Sequence, residues 1–93
     1  MTEQVSDNTS QSRYELTLAG GIAFIDYTVS GTVRTLTHAE VPPAMRGGGV
    51  AARLTSGALE LARSQGIKVI PRCPYVVTFI ERHPEFQDLL ARR

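Results

Sequence analysis

Three groups of residues have types and spacings that could do chemistry. The first is the run Arg46-Gly47-Gly48-Gly49-Val50-Ala51, which directly precedes an apolar-periodic stretch. Amides at the start of a helix lack internal partners and carry partial positive charge. Glycines let a ligand approach the backbone closely. Together they form a cradle for a phosphate or pyrophosphate, although the same glycines would also suit a plain strand-to-helix connection. No Lys-Ser/Thr follows them and their spacing is not that of the dinucleotide fingerprint, so neither of those motifs applies. The second group is Cys73, placed at a helix start beside Arg72. That setting favours thiolate and nucleophilic attack on an acyl group; a small buried hydrophobe is the alternative. The third is His38 with Glu40, two apart and so on one face of a strand. The pair could take a proton from an amine, or could simply be a polar surface.

The elements that must hold these residues follow from periodicity. Arg13 to Leu18 alternates, with Tyr14, Leu16 and Leu18 on one face, and predicts a strand. Ile22 to Val29 is apolar on both faces and predicts a central strand. Ser30-Gly31 predicts a tight hairpin into a third strand, Thr32 to Val41, which Pro42-Pro43 ends. A helix is expected from Val50 to Gln65, with Val50, Leu54, Ala58 and Leu61 inward and Arg53, Ser56, Glu60 and Arg63 outward. Gly66 stops it. Lys68 to Pro71 predicts a short buried strand. Pro74 opens a second helix with Val76, Val77, Phe79 and Ile80 as its apolar positions, Pro84 closes it, and Glu85 to Ala91 predicts a last helical turn or two. The fold class expected is α/β. It has a mixed sheet of three antiparallel strands plus a parallel fourth reached through a βαβ unit, with helices after the third and fourth strands.

Composition bounds the function. Ninety-three residues, 42% hydrophobic and 20% charged, make one folded domain. With no Trp and only three Phe and three Tyr, the core must be aliphatic. Residues 1–12 are polar and aperiodic and are read as a loose tail, leaving 13–93 as the domain. No apolar run is long enough to span a membrane, and MTEQVSDNTSQS has neither a basic start nor an apolar stretch, so no signal peptide is expected. A single cysteine fits a reducing compartment, and a cytoplasmic location is expected. A net charge of +1 argues against nucleic acid as a partner. From Ala44 to Arg72, however, five bases face one acid, Glu60, which suits a small anion. No metal-ligand spacing stands out.

The loop string, taken with His38-Ala39-Glu40-Val41-Pro42-Pro43 before it and Ile70-Pro71-Arg72-Cys73-Pro74-Tyr75-Val76 after it, resembles the stand-alone minimal members of the GNAT (N-acetyltransferase) superfamily. Arg82-His83-Pro84-Glu85-Phe86 is similar to theirs as well. The resemblance runs from about Tyr14 to Leu90. It implies acetyl-CoA or coenzyme A held where the third and fourth strands splay apart. The pyrophosphate would lie on Gly47, Gly48, Gly49, Val50 and Ala51 beside Arg46, the pantetheine arm along the backbone near Val41, and the acyl end at Cys73. Glu40 is then the candidate base, with His38 beside it, and Tyr75 the candidate proton donor to the departing thiolate. The usual later tyrosine of the family is replaced by Phe79 or Ile80. The two helices that normally wall the acceptor site have no room in this chain, so an unidentified amine would enter an open site or one completed by a second copy. The implied activity is acetyl transfer to that amine, directly or through an acyl-cysteine. The competing reading is a CoA-binding module without turnover, and a third is an interaction domain whose loop is only structural.

Overall fold

A computed structural model describes residues 5–91. The chain forms β1 (Ser6–Asn8), β2 (Arg13–Leu18), β3 (Gly21–Ser30), β4 (Val33–Glu40), α1 (Val50–Ser64), β5 (Lys68–Pro71) and α2 (Pro74–Arg82). A single 3-10 turn, Pro43–Met45, precedes the glycines, and a longer one, Pro84–Leu89, follows α2. The sheet order is β1-β2-β3-β4-β5. The first four strands are antiparallel, and β5 runs parallel to β4 across the α1 crossover. This is the expected α/β arrangement with one strand more. No helix among the described residues is long and apolar enough to cross a membrane.

One face of the sheet carries the core. Tyr14 and Leu16 of β2 lie opposite Ile25 and Ala23 of β3, Tyr27 lies opposite Leu36 of β4, and all six are buried. Val50, Leu54, Ala58, Leu59 and Ala62 of α1 and Val76, Phe79 and Ile80 of α2 close on the same cluster. Each such large aliphatic or aromatic side chain contributes about 1.5–3 kcal/mol by leaving water. The buried stripe of α1 is wider than expected. Thr55, Leu59 and Ala62 are buried while Leu61 is only half-buried, since α1 packs against β1, β2, β3 and β5 at once. The buried hydroxyl of Thr55 is satisfied by donating to the Ala51 carbonyl at 2.8 Å.

Three local expectations need correction. The β3–β4 turn falls one residue later than Ser30-Gly31. Ser30 pairs with Val33, so Gly31 and Thr32 make the turn, and Gly31 takes the left-handed φ of 63° that the reversal requires. The helical turns expected from Glu85 to Ala91 are present but stop at Leu89. Pro84–Leu89 is 3-10, after which Leu90 bridges Val69 of β5 and the Ala91 amide donates to the Val69 carbonyl at 2.9 Å.

The third correction concerns the loose tail. Ser6–Asn8 is a strand, paired in register with Arg13, Tyr14 and Glu15; the part of that reading covering residues 1–4 lies outside the described residues. Two contacts hold the strand. A β-carbon at Gly57 of α1 would run into the Val5 side chain, so the helix glycine opens the slot in which Val5 sits. Asp7 accepts from Tyr27 Oη at 2.5 Å, from Arg34 Nη1 at 2.6 Å and from Gln65 Nε2 at 2.8 Å. Arg34 also donates to Tyr14 Oη at 3.0 Å and lies over the Tyr27 ring. A polar strand pinned by a half-buried ion pair leaves no alternating apolar signal to read.

Burial by itself would raise the Asp7 pKa, but the hydrogen bonds from Tyr27, Arg34 and Gln65 and the Arg34 charge outweigh it and hold the carboxyl below its ordinary value. Burial and the same bond push the Tyr27 hydroxyl up to about 12. A depressed folded-state pKa contributes stability above the unfolded value and loses it as pH falls through the folded one. Asp7→Asn should therefore cost about 1–3 kcal/mol at neutral pH, and the gap to wild type should close as pH drops below 3.8. Urea melts across pH 2–7 are the check. A gap independent of pH would mean that the ion pair does not hold β1.

Candidate functional site

The site begins where the sheet divides. Pairing of β4 with β5 runs from Val33–Lys68 to Leu36–Pro71 and stops. Pro71 and Pro74 set that limit. Neither has an amide to donate, and the residue before Pro74 is held extended, Cys73 at φ −70° and ψ 125°. The amides of Arg72 (2.9 Å) and Cys73 (3.1 Å) both turn back to the Leu36 carbonyl. β4 continues alone to Glu40, so Thr37–Glu40 has no strand on its second side among the described residues.

At the same point β4 carries a bulge. Asp26 pairs with His38 but Tyr27 pairs with Leu36, so Thr37 is an extra residue. Its hydroxyl donates to the Asp26 carbonyl at 3.3 Å. Strict alternation would send His38 and Glu40 to the same side as buried Leu36. The bulge reverses them: Ala39 packs against the core, while His38 and Glu40 face outward with side chains 58% and 55% exposed. They share a face as expected, with His38 Nε2 3.1 Å from Glu40 Oε1. That face bears no helix among the described residues. Beside the pair lie Phe24, directly opposite Glu40, and Arg13, whose guanidinium sits 4.4 Å from the Phe24 ring centre and pairs with Glu15 at 2.6 Å.

The glycine loop lies on the helical side. Gly47, Gly48 and Gly49 all have left-handed φ, 90°, 62° and 74°, and a β-carbon on any of them would meet nothing within 4 Å. The glycines are therefore required by backbone conformation, and the space above them is open. The backbone bonds here are Val50 N–H to the Gly47 carbonyl (3.4 Å) and Arg53 N–H to the Gly49 carbonyl (2.9 Å). The amides of Gly48, Gly49, Ala51 and Ala52 donate to no backbone carbonyl among the described residues, and no side chain caps α1. An Asp or Ser at position 49 would have supplied a cap worth about 1 kcal/mol. Glycine leaves those amides for an anion, and a CoA pyrophosphate fits such a cradle.

The remaining expected residues are placed as follows. Val41 lies just past β4, and its carbonyl accepts from Arg46 Nε at 3.1 Å, so Arg46 fastens the two ends of the turn before the glycines. Val50 is buried under the loop and Ala51 is half-buried. Cys73 caps α2 at the apex of the split; it is a free thiol, 8% exposed and part of the core cluster. Tyr75 is 41% exposed on the first turn of α2, its ring 6.2 Å from that of Phe79. The structure thus gathers Leu36, Cys73 and the free half of β4 at one point, with the glycine loop on the helical side and His38–Glu40 on the bare side. Sequence reasoning missed the pocket between α1 and α2 and the part played by Thr37; a bulge leaves no mark in residue types.

A family model described as GCN5-related N-acetyl-transferase matches residues 13–89. The chain belongs to that family. Among solved structures, a GCN5-like protein of Staphylococcus aureus determined by NMR superposes with a TM-score of 0.70 at 21% identity, over 100% of this chain and 93% of that one. At that identity the likeness is one of fold. The GCN5-related acyl-CoA-binding architecture is therefore present from β2 through the last 3-10 turn.

Gly48→Ala tests the loop. A β-carbon there meets no atom, so the cost is the left-handed backbone alone, about 1–2 kcal/mol. The variant should fold and lose CoA affinity by tenfold or more, read by calorimetry. A folded variant with wild-type affinity would remove the loop from the site.

Proposed function

We propose that this protein binds acetyl-CoA at the divide between β4 and β5 and transfers the acetyl group to a primary amine reaching it from the bare face of the sheet. The observation that carries the proposal is the loop of three left-handed glycines, whose unpartnered amides open beside the only parallel strand pair among the described residues. When bound, acetyl-CoA supplies an acyl thioester, already activated for attack.

The chain's own groups take the remaining roles. The amides of Gly48, Gly49, Ala51 and Ala52 hold the pyrophosphate. The unpaired edge of Thr37–Val41 offers main-chain partners to an extended arm, as an added strand would find. An amine of lysine type has a reference pKa near ~10.4 and must shed a proton before its lone pair can attack. Glu40 takes that proton, directly or through water, and His38 at 3.1 Å fixes the carboxylate. Cys73 stands at the apex, where it either receives the acyl group and passes it on or packs beside the thioester. Tyr75 is the hydroxyl on α2 nearest that end. The bare face leaves the acceptor side open to solvent or to a second copy of the chain.

One observation favours a second reading, a CoA-binding module without turnover: Phe79 and Ile80 fill the core where the usual later tyrosine would stand. The test separates the two. Wild-type protein, acetyl-CoA and a panel of small amines and lysine peptides should yield acetylated product. Glu40→Gln should keep CoA affinity and slow transfer by about 10²–10⁴ at neutral pH, with part of the rate recovered as pH rises and solvent deprotonates the amine. Cys73→Ala should abolish any hydroxylamine-labile acetyl mass on the protein. Tight CoA binding with no transfer to any amine would favour the binding module; an unchanged pH–rate profile in Glu40→Gln would remove Glu40 as base.

A further inference from the structure

The loop of residues 46–49 is exposed throughout, and among residues 43–49 only Met45 is buried. The three glycines offer no side chain to pack, and the space above them is open. The direction of the loop amides is therefore set at the two ends. Val50 holds one end in the core beside α1. Met45, 6% exposed, holds the other. Its end is stiff. The Met45 amide donates to the Pro42 carbonyl at 2.9 Å, the Arg46 amide to the Pro43 carbonyl at 3.3 Å, and Arg46 Nε to the Val41 carbonyl at 3.1 Å. A shift of Met45 is thus passed to Gly47.

The seat of Met45 is the β2–β3 turn, where Ala19 and Gly20 join Leu18 to its partner Gly21. Gly21 has a φ of 137° and is glycine for its backbone; a β-carbon there would meet Pro42 Cγ at 3.5 Å and Met45 Sδ at 3.7 Å, ordinary contact distances. Gly20 is different. It is not among the positive-φ glycines, so its backbone does not call for glycine. Space does. A β-carbon at Gly20 would stand 2.9 Å from Met45 Cγ and 3.3 Å from the Ala44 carbonyl oxygen. Carbon atoms pack at about 3.5–4.0 Å, and both neighbours are mid-chain or main-chain atoms that cannot swing aside alone. The turn is a bare dish that receives one unbranched thioether, the side chain best able to fill such a gap.

We propose that Met45, seated on Gly20 and Gly21, is a positioning residue that aims the glycine-loop amides before any ligand arrives. The inference rests on the CoA reading above for what the loop binds. It adds that a hairpin turn carrying none of the site residues governs the affinity. An amide–oxygen bond weakens steeply with angle, and a loop ordered in advance loses little entropy on binding. Displacing Met45 therefore weakens binding at the loop. The divide itself is held separately, by the Leu36 carbonyl and the β4–β5 ladder, and stays in place.

The test uses the full chain with Gly20→Ala, Met45→Ala and both together, each checked for folding by thermal melts. Gly20→Ala lifts Met45 off its seat, Met45→Ala empties the seat, and in the double variant the new methyl takes the vacated space. If Met45→Ala does not fold, Met45→Leu replaces it: it keeps the volume, at a small cost in stability, but branches at the carbon that faces Gly20. In ¹⁵N spectra of the ligand-free protein, each single variant should move or broaden the amides of residues 46–49 and leave those of Arg72 and Cys73 still. By calorimetry each single variant should bind CoA about tenfold more weakly. Gly20→Ala should add at most about twofold to the loss in Met45→Ala, because the atom it displaces is gone. Unmoved loop amides in the single variants, unchanged CoA affinity, or losses that simply multiply in the double variant would overturn the proposal. If wild type binds no CoA, the reading of the loop as a CoA site fails, and the ligand-free spectra alone decide whether Met45 positions it.

Discussion

The carbonyl of Leu36 is the point on which the site depends. It is the last acceptor that β4 offers to its parallel neighbour, and it takes two amides, those of Arg72 and Cys73, where the ladder stops. Prolines at 71 and 74 prevent β5 from following β4 further. Past Leu36 the sheet has a mouth instead of a fifth strand's continuation. β4 supplies an unpaired edge, α2 starts at the apex, and α1 begins across the gap with uncapped amides. None of these features would be useful without the others. A capped helix would repel no ligand but would leave no donors, and a continued β5 would fill the edge.

The bulge at Thr37 gives the mouth two sides. Without the extra residue, the His38–Glu40 pair would face the helices and Ala39 would face water. With it, the polar pair stands on the uncovered face and the uncapped loop amides stand on the covered one. The proposed base and the proposed carrier site then approach the same point from opposite sides of one strand. No helix among the described residues covers that face. Its rows, Glu15–Phe24–Glu40 and Arg13–Asp26–His38, are polar enough to stay in water and retain a half-buried aromatic.

Much of this was legible in the residues. Alternation located β2, an apolar run located β3, Pro42-Pro43 ended β4, and Gly66 ended α1 to within two residues. The loop was read from its place between strand and helix as much as from its glycines. The parts that were not legible have physical reasons. β1 is polar, and it is held by Asp7 meeting Arg34 and Tyr27, three residues far apart in sequence whose meeting only the folded sheet reveals. The bulge depends on register, which residue types do not encode. The pocket depends on where α2 lies against α1, a matter of packing. Cys73 showed the helix-start setting expected of a nucleophile and proved to be a core residue as well, 8% exposed.

The claim that most needs a direct look is that an acyl carrier is held by main-chain amides at this divide. Amide resonances report it without any assumption about turnover. Titration of ¹⁵N-labelled protein with CoA should move the signals of Gly48, Gly49, Ala51 and Ala52 most, with Cys73 and the residues of β4 beyond Leu36 moving next. Arg13, Glu15 and Phe24 on the bare face should stay nearly still. Shifts confined to the bare face, or none at saturating CoA, would contradict the account.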